Sequence, residues 1–181
     1  MKRVICLFIL ITSILLLAFT QENIKKDSSY DSFVSQNGQM MKLQDFRLPW
    51  MEGIGYSSYQ NRIRLVCIDQ AEKYYLQIIK DSKTGNIIGS LEYNEIVEMN
   101  DAIKILQTQY DNDIARSIEY LENVFINNNG IQVGYIISDL NKGWFIRLDK
   151  YKNDSIILFE ESLDIIKGLK EALNKIEEIK K

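Results

Sequence analysis

The sequence predicts an α+β fold in which one antiparallel sheet-plus-helix unit (ββββα) occurs twice, packed as a pseudo-two-fold single domain. Two observations share one spacing of 70 residues. Tyr93, Ile96, Met99, Ile103 and Leu106 recur as Leu163, Ile166, Leu169, Leu173 and Ile176, with Ala102 falling on Ala172. Ile63, Leu65, Cys67 and Asp69 recur as Val133, Tyr135, Ile137 and Asp139. A fixed offset that carries both a helix and a strand pattern marks duplicated architecture. The third observation is physical. A single sheet with one helix buries little apolar surface, so two such units gain by sharing a core.

The elements follow in order. Residues 61–69 alternate, with Ile63, Leu65 and Cys67 on one face and Arg62, Arg64 and Val66 on the other. After a turn at 70–72, residues 74–80 alternate again, and Ser82-Lys83-Thr84-Gly85-Asn86 has the composition of a hairpin loop. A strand at 87–91 leads into three-and-four spacing at 93–109, an amphipathic helix. In the second unit 117–126 reads as the first strand. Asn127-Asn128-Asn129-Gly130 is a hairpin signal, because Asn and Gly accept positive φ cheaply. Strands at 131–139, 144–150 and 156–159 precede a helix at 163–180, with Ser162 as its N-cap. Pro49, Gly53 and Gly55 argue against a regular central strand at the start of the first unit.

The first 20 residues read as an export leader. Lys2 and Arg3 precede an uncharged apolar stretch at 4–19, and Ala18-Phe19-Thr20 puts small residues at the usual cleavage spacing. The stretch is shorter than the roughly 20 apolar residues of a comfortable bilayer span. Cleavage is therefore expected, giving a periplasmic or secreted protein, with an uncleaved membrane anchor as the alternative. Residues 21–45 are polar and read as a flexible tether, with a short ordered piece near Phe33 and Val34. The duplicated domain then covers 46–181, with units at about 46–110 and 117–181.

Loss of Lys2 and Arg3 with the leader leaves 20 basic against 25 acidic residues. That balance disfavours non-specific binding of polyphosphate backbones. The chain has no histidine, which removes Ser-His-Asp and Cys-His catalysis and imidazole acid–base chemistry. Beyond the leader Cys67 is the one cysteine, and its place in an alternating strand reads as a small buried hydrophobe. Asp111-Asn112-Asp113 begins like a calcium loop, but Arg116 stands where the sharp turn needs glycine. Glu160, Glu161 and Asp164 sit together at a helix start, where acids favour the macrodipole. No glycine-rich phosphate cradle is present, and no cofactor, metal or catalytic residue is expected.

Two sets of residues are candidates for a binding surface. Arg62, Arg64, Tyr75, Gln77, Phe145 and Arg147 share a sheet face if their strands are adjacent, and guanidinium groups with aromatics on a sheet are the ingredients of a base-stacking platform. The alternative is that Tyr75 and Phe145 pack within the protein while the arginines pair with acids. Trp50, Tyr56 and Tyr59 form an aromatic segment of the kind enriched at protein interfaces. Trp144 lies in an alternating strand and reads as core.

The two hairpins at 62–80 and 131–150, with their matching helices, resemble the PUR/Whirly-type architecture of tandem sheet–helix units. The resemblance covers about 47–181, is one of architecture, and implies single-stranded nucleic-acid binding; it carries no binding residues over. The leading functional expectation is an exported, non-catalytic module that recognises a protein or envelope component. The alternatives are a single-strand nucleic-acid binder and, last, a carboxylate-based enzyme.

Overall fold

The computed structural model describes residues 28–36, 38–49, 51, 53–54, 59–83, 85–116 and 118–181; the expected leader, Trp50 and Tyr56 lie outside the described residues. After a short helix α1 (Ser29–Val34), the first sheet has the order β1 (Met41–Arg47), β2 (Tyr59–Ile68), β3 (Ala71–Lys80), β4 (Ile87–Glu92) and leads into α2 (Tyr93–Ile114). The second sheet has the order β5 (Tyr120–Ile126), β6 (Gln132–Ser138), β7 (Lys142–Arg147), β8 (Ile156–Phe159) and leads into α3 (Ser162–Ile179). Neighbouring strands are antiparallel throughout. This is the duplicated α+β fold that the 70-residue spacing predicts.

The spacing holds through three strands and the helix of each unit and fails at the first strand. Arg47 pairs with Arg62, fifteen residues on, whereas Ile126 pairs with Gln132, six residues on. The surplus lies in the 48–58 connection, whose described residues Met51, Gly53 and Ile54 meet the second unit. There the Ile54 amide donates to the Leu158 carbonyl at 2.7 Å. Met51 is buried against α3 at Gly168, where any Cβ would fall on the Met51 side chain. A helical glycine costs about 1 kcal/mol against alanine; here it makes room for Met51.

The stretch expected to be a tether is a correction in part: the ordered piece near Phe33 and Val34 is α1, but the stretch also contains most of β1. Among the described residues β1 is an edge strand that pairs only with β2, and six of its seven residues are exposed. Its residues therefore lack the alternation of a half-buried strand, while Lys42, Asp45 and Arg47 put charge on the edge, as edges often require. Smaller differences lie at turns. β3 resumes at Ala71 after a turn in which Asp69 has φ 52°, and α3 takes Glu161 rather than Ser162 as its N-cap.

Each helix reaches over the sheet of the other unit. Tyr110 of α2 lies 5.0 Å from the Tyr135 ring and 5.3 Å from that of Trp144. The Tyr135 hydroxyl donates to Asp113 of α2 at 2.7 Å, and the Asn123 amide to Gln109 at 2.8 Å. In the other direction α3 packs on β2, and Lys180 at its end stands over the rings of Tyr74 and Tyr93. The predicted helix stripes meet in one core, except for Leu163, which is exposed at the start of α3. Ile96, Met99, Ile103 and Leu106 join Ile166, Leu169, Ala172 and Ile176, with Ile63, Leu76, Val133, Trp144 and Ile146 from the two sheets. Each large side chain removed from water there contributes roughly 1.5–3 kcal/mol. Cys67 is half-buried, its Sγ 3.8 Å from Glu72, rather than fully enclosed.

Candidate ligand-binding cleft

The face of the first sheet turned away from the core carries a polar network. Asp45 on β1 accepts from Arg64 through both carboxylate oxygens, each at 2.7 Å, and pairs with Arg62 at 2.9 Å. Arg62 donates twice to Gln77 Oε1, at 3.0 and 2.9 Å, and Gln77 passes the chain on to Ser90 Oγ at 3.1 Å. The Arg64 guanidinium holds the Asp45 carboxyl below the ordinary carboxylate range. Burial lowers the Arg62 guanidinium from its ordinary value, while the hydrogen bonds that Arg64 donates to Asp45 raise the Arg64 guanidinium.

The same face of the second sheet repeats part of this with the residues exchanged. Arg62 stands opposite Gln77 across β2 and β3, and Gln132 stands opposite Arg147 across β6 and β7. Positions 62 and 132, and 77 and 147, are each 70 apart, so one cross-strand site keeps the same two residue types in opposite order. Arg147 donates to Gln132 and pairs with Glu122 on β5 at 3.1 Å. Tyr75 and Phe145 are also 70 apart, and both have zero exposure.

Tyr75 is enclosed by α1. Tyr30 meets it edge-on with ring centroids 5.0 Å apart, and the Tyr75 hydroxyl donates to Glu92 at 3.3 Å. Phe33 joins Tyr75, Val66 and Ile68 in a small apolar cluster separate from the main core. Burial, with Glu92 alongside, raises the Tyr75 phenol well above its ordinary value. The start of α1 is tied to the second unit. The Ser29 amide donates to Asn129 Oδ1 at 3.1 Å, and Asn129 Nδ2 donates to Glu95 at 2.6 Å. Glu95 also accepts from Asn127 at 3.2 Å and from the Glu92 amide at 2.9 Å, which closes a capping box at the start of α2. Burial raises the Glu95 carboxyl above the ordinary range despite these donors.

Where α1, the outward face of the first sheet, the β5–β6 hairpin and the β7–β8 turn converge, a cleft of about 370 Å³ opens. Arg64, Gln77 and Ser90 provide polar lining, with Tyr30 on one wall. Ile88 of β4, Ile126 of β5 and Tyr151 of the β7–β8 turn line the same opening and are 47, 52 and 53 % exposed.

The expected six-residue platform is thus divided. Arg62, Arg64, Tyr75 and Gln77 lie together on the first sheet; Phe145 and Arg147 lie on the second, because each hairpin closes its own four-stranded sheet. Tyr75, Gln77 and Phe145 are buried, so only the arginines of the set keep partial exposure. Tyr59 belongs to the core, beside Phe159 at 6.5 Å, and not to an outer aromatic segment. Ile88, Ile126 and Tyr151 were missed because single exposed apolar residues carry no signal in sequence; only the fold gathers them. No protein-family model, no curated protein and no solved structure matches this chain.

Proposed function

We propose that this chain is an exported, non-catalytic binding module that recognises a segment of another protein, and that the cleft is its site. The observation that carries this reading is the grouping of half-exposed Ile88, Ile126 and Tyr151 round one opening with Arg64, Gln77 and Ser90. Apolar side chains gathered beside a few hydrogen-bonding groups suit the mixed surface of a peptide. Most charges nearby are engaged within the fold: Asp45 with Arg62 and Arg64, Glu92 with Lys73, Glu95 with Asn127 and Asn129, while exposed Lys150 of the lining stands over the Tyr151 ring at 4.9 Å. That favours binding over acid–base chemistry, which needs carboxylates converging on a reacting atom. It also favours a peptide over the single-stranded nucleic acid of the PUR/Whirly-like alternative, which needs cationic groups available to phosphates.

The test is selection from a random peptide display library on the immobilised protein, followed by binding isotherms with Ile88→Asp and Ile126→Asp. The expected result is a set of mutually competing peptides whose affinity falls tenfold or more in either variant. Salt-sensitive binding of labelled single-stranded DNA or RNA, with no peptide enriched, would instead support the alternative.

A further inference from the structure

Among the described residues, α1 is the one α-helix that the duplication does not supply. The second unit buries Phe145 at the position matching Tyr75 with no helix above it among the described residues. The first unit has a more apolar outward strip. Val66 and Ile68 flank Tyr75 there, at positions where the second unit has half-exposed Ile136 and Ser138. The first sheet's strip is therefore larger than closure of the aromatic requires, and α1 lies on it.

The seating of α1 is that of a bound ligand. Its backbone-to-backbone hydrogen bonds among the described residues stay within it, from Ser32 to Ser28 and from Ser35 to Asp31, while the Ser29 amide donates to Asn129 Oδ1 and the Ser29 carbonyl accepts from the Tyr75 hydroxyl at 3.5 Å. It is held by side chains: Tyr30 against Tyr75, the Tyr30 hydroxyl accepting from Arg64 at 3.3 Å, and Phe33 beneath the Lys73 ammonium at 5.0 Å. Six residues are far too few to hold a helix in water without such contacts.

We propose that the strip formed by Val66, Ile68 and Tyr75 is a groove for a partner protein's amphipathic helix with aromatic side chains three residues apart, and that α1 occupies it in cis. Tyr30 and Phe33 define the spacing. Arg64 sets the chemistry at one end, a hydroxyl or carboxylate acceptor, and Lys73 favours an aromatic ring at the other. The short 35–40 connection keeps α1 at a high effective concentration, so an incoming helix must outcompete a tethered one. The Ser29–Asn129 bonds are the latch. This deepens the protein-binding reading but rests on the contacts of α1, and it holds even if the cleft takes no peptide.

The probe is a fluorescein-labelled peptide of residues 28–36, titrated by anisotropy into the full chain and its variants. Tyr30→Ala with Phe33→Ala empties the groove, and the peptide is expected to bind this variant at least tenfold more tightly than the wild type. Asn129→Ala, which releases the latch and leaves the groove intact, is expected to tighten binding by a smaller factor. Adding Val66→Asp to the emptied chain should abolish binding, whereas adding Ile88→Asp in the cleft should leave it unchanged. Equal binding to wild type and emptied chain, or none to the emptied chain with its near-UV dichroism intact, would overturn the proposal. So would loss of folding in the emptied chain, because α1 would then belong to the core. A concentration-dependent dimer of the wild type that disappears in Phe33→Ala would replace the partner with a second copy exchanging α1.

Discussion

Tyr75 and Phe145 occupy matching places 70 residues apart, and both are wholly buried on faces turned away from the shared core. One lies beneath a helix; the other lies beneath Arg147, whose guanidinium carbon is 5.0 Å from the ring centre. The residue opposite each aromatic differs too. Arg64 faces Tyr75 and is drawn to Asp45, whereas Gly134 faces Phe145. A Cβ at Gly134 would fall on the Asn123 carbonyl oxygen, so the glycine lets β5 close in over that part of the sheet. The comparison separates what the unit requires from what was added. A buried outward aromatic and a cross-strand Arg–Gln pair occur in both copies. The helical cap occurs in one, and the strip beneath it is where the two copies diverge.

Substitutions in both units break or sharpen this comparison. Phe145→Ala removes a fully enclosed ring, and a loss of about 4 kcal/mol in urea unfolding is expected. A loss under about 1 kcal/mol would mean that the second face does not depend on its aromatic. Gly134→Ala is expected to cost about 3 kcal/mol, because the added methyl meets backbone rather than a side chain that can turn aside. Alanine at the matched Arg64 should cost clearly less, and equal costs would remove the argument that β5 closes in over the glycine.

The exchanged pair allows a smaller and more specific test. Arg62→Gln and Gln77→Arg each leave a mismatched pair and should each cost about 1 kcal/mol, while the double variant reproduces the order found at Gln132 and Arg147. A coupling of about 1 kcal/mol in favour of the double variant is expected from the thermodynamic cycle. Strict additivity would show that the likeness of the two sites has no energetic content.

The smallest effect is in pH dependence. Asp45 has its carboxyl lowered from 3.8 by Arg64, so its stabilising contribution is present above that value and lost as pH falls through the folded-state value. Glu95 is raised from 4.5 by burial, so its contribution is present below that value and lost as pH rises through its folded-state value. Asp45→Asn should therefore flatten the acid side of the stability profile, and Glu95→Gln should flatten the fall on the other side of 4.5. Parallel profiles for wild type and both variants, measured by thermal melts from about pH 2 to 7, would contradict this assignment.

Much of the fold is legible in the sequence because its signals are local. Alternation at Ile63, Leu65 and at Val133, Tyr135, turn residues at Gly85 and Gly130, and the helix stripes each depend on a few consecutive positions. β1 was not legible, because an exposed edge strand has no buried face to write into its residues. Of α1 only an ordered piece near Phe33 and Val34 was legible, because six residues leave no periodicity that would mark it as a helix. The candidate site was legible only in part. Arg64 and Gln77 could be placed on one face by counting residues, but Ile88, Ile126 and Tyr151 come from β4, β5 and the β7–β8 turn, and nothing in their spacing relates them.

The sequence by itself determined that a ββββα unit occurs twice and which faces of its strands and helices are apolar, since burial selects residue type at fixed intervals along one element. Only the tertiary structure decided that the hairpins form separate sheets, that each helix crosses to the other unit, and that α1 covers Tyr75. Those choices depend on contacts between residues far apart in the chain, where strip shape, the exchanged order of Arg and Gln, and the absence of a side chain at Gly134 and Gly168 set what fits against what.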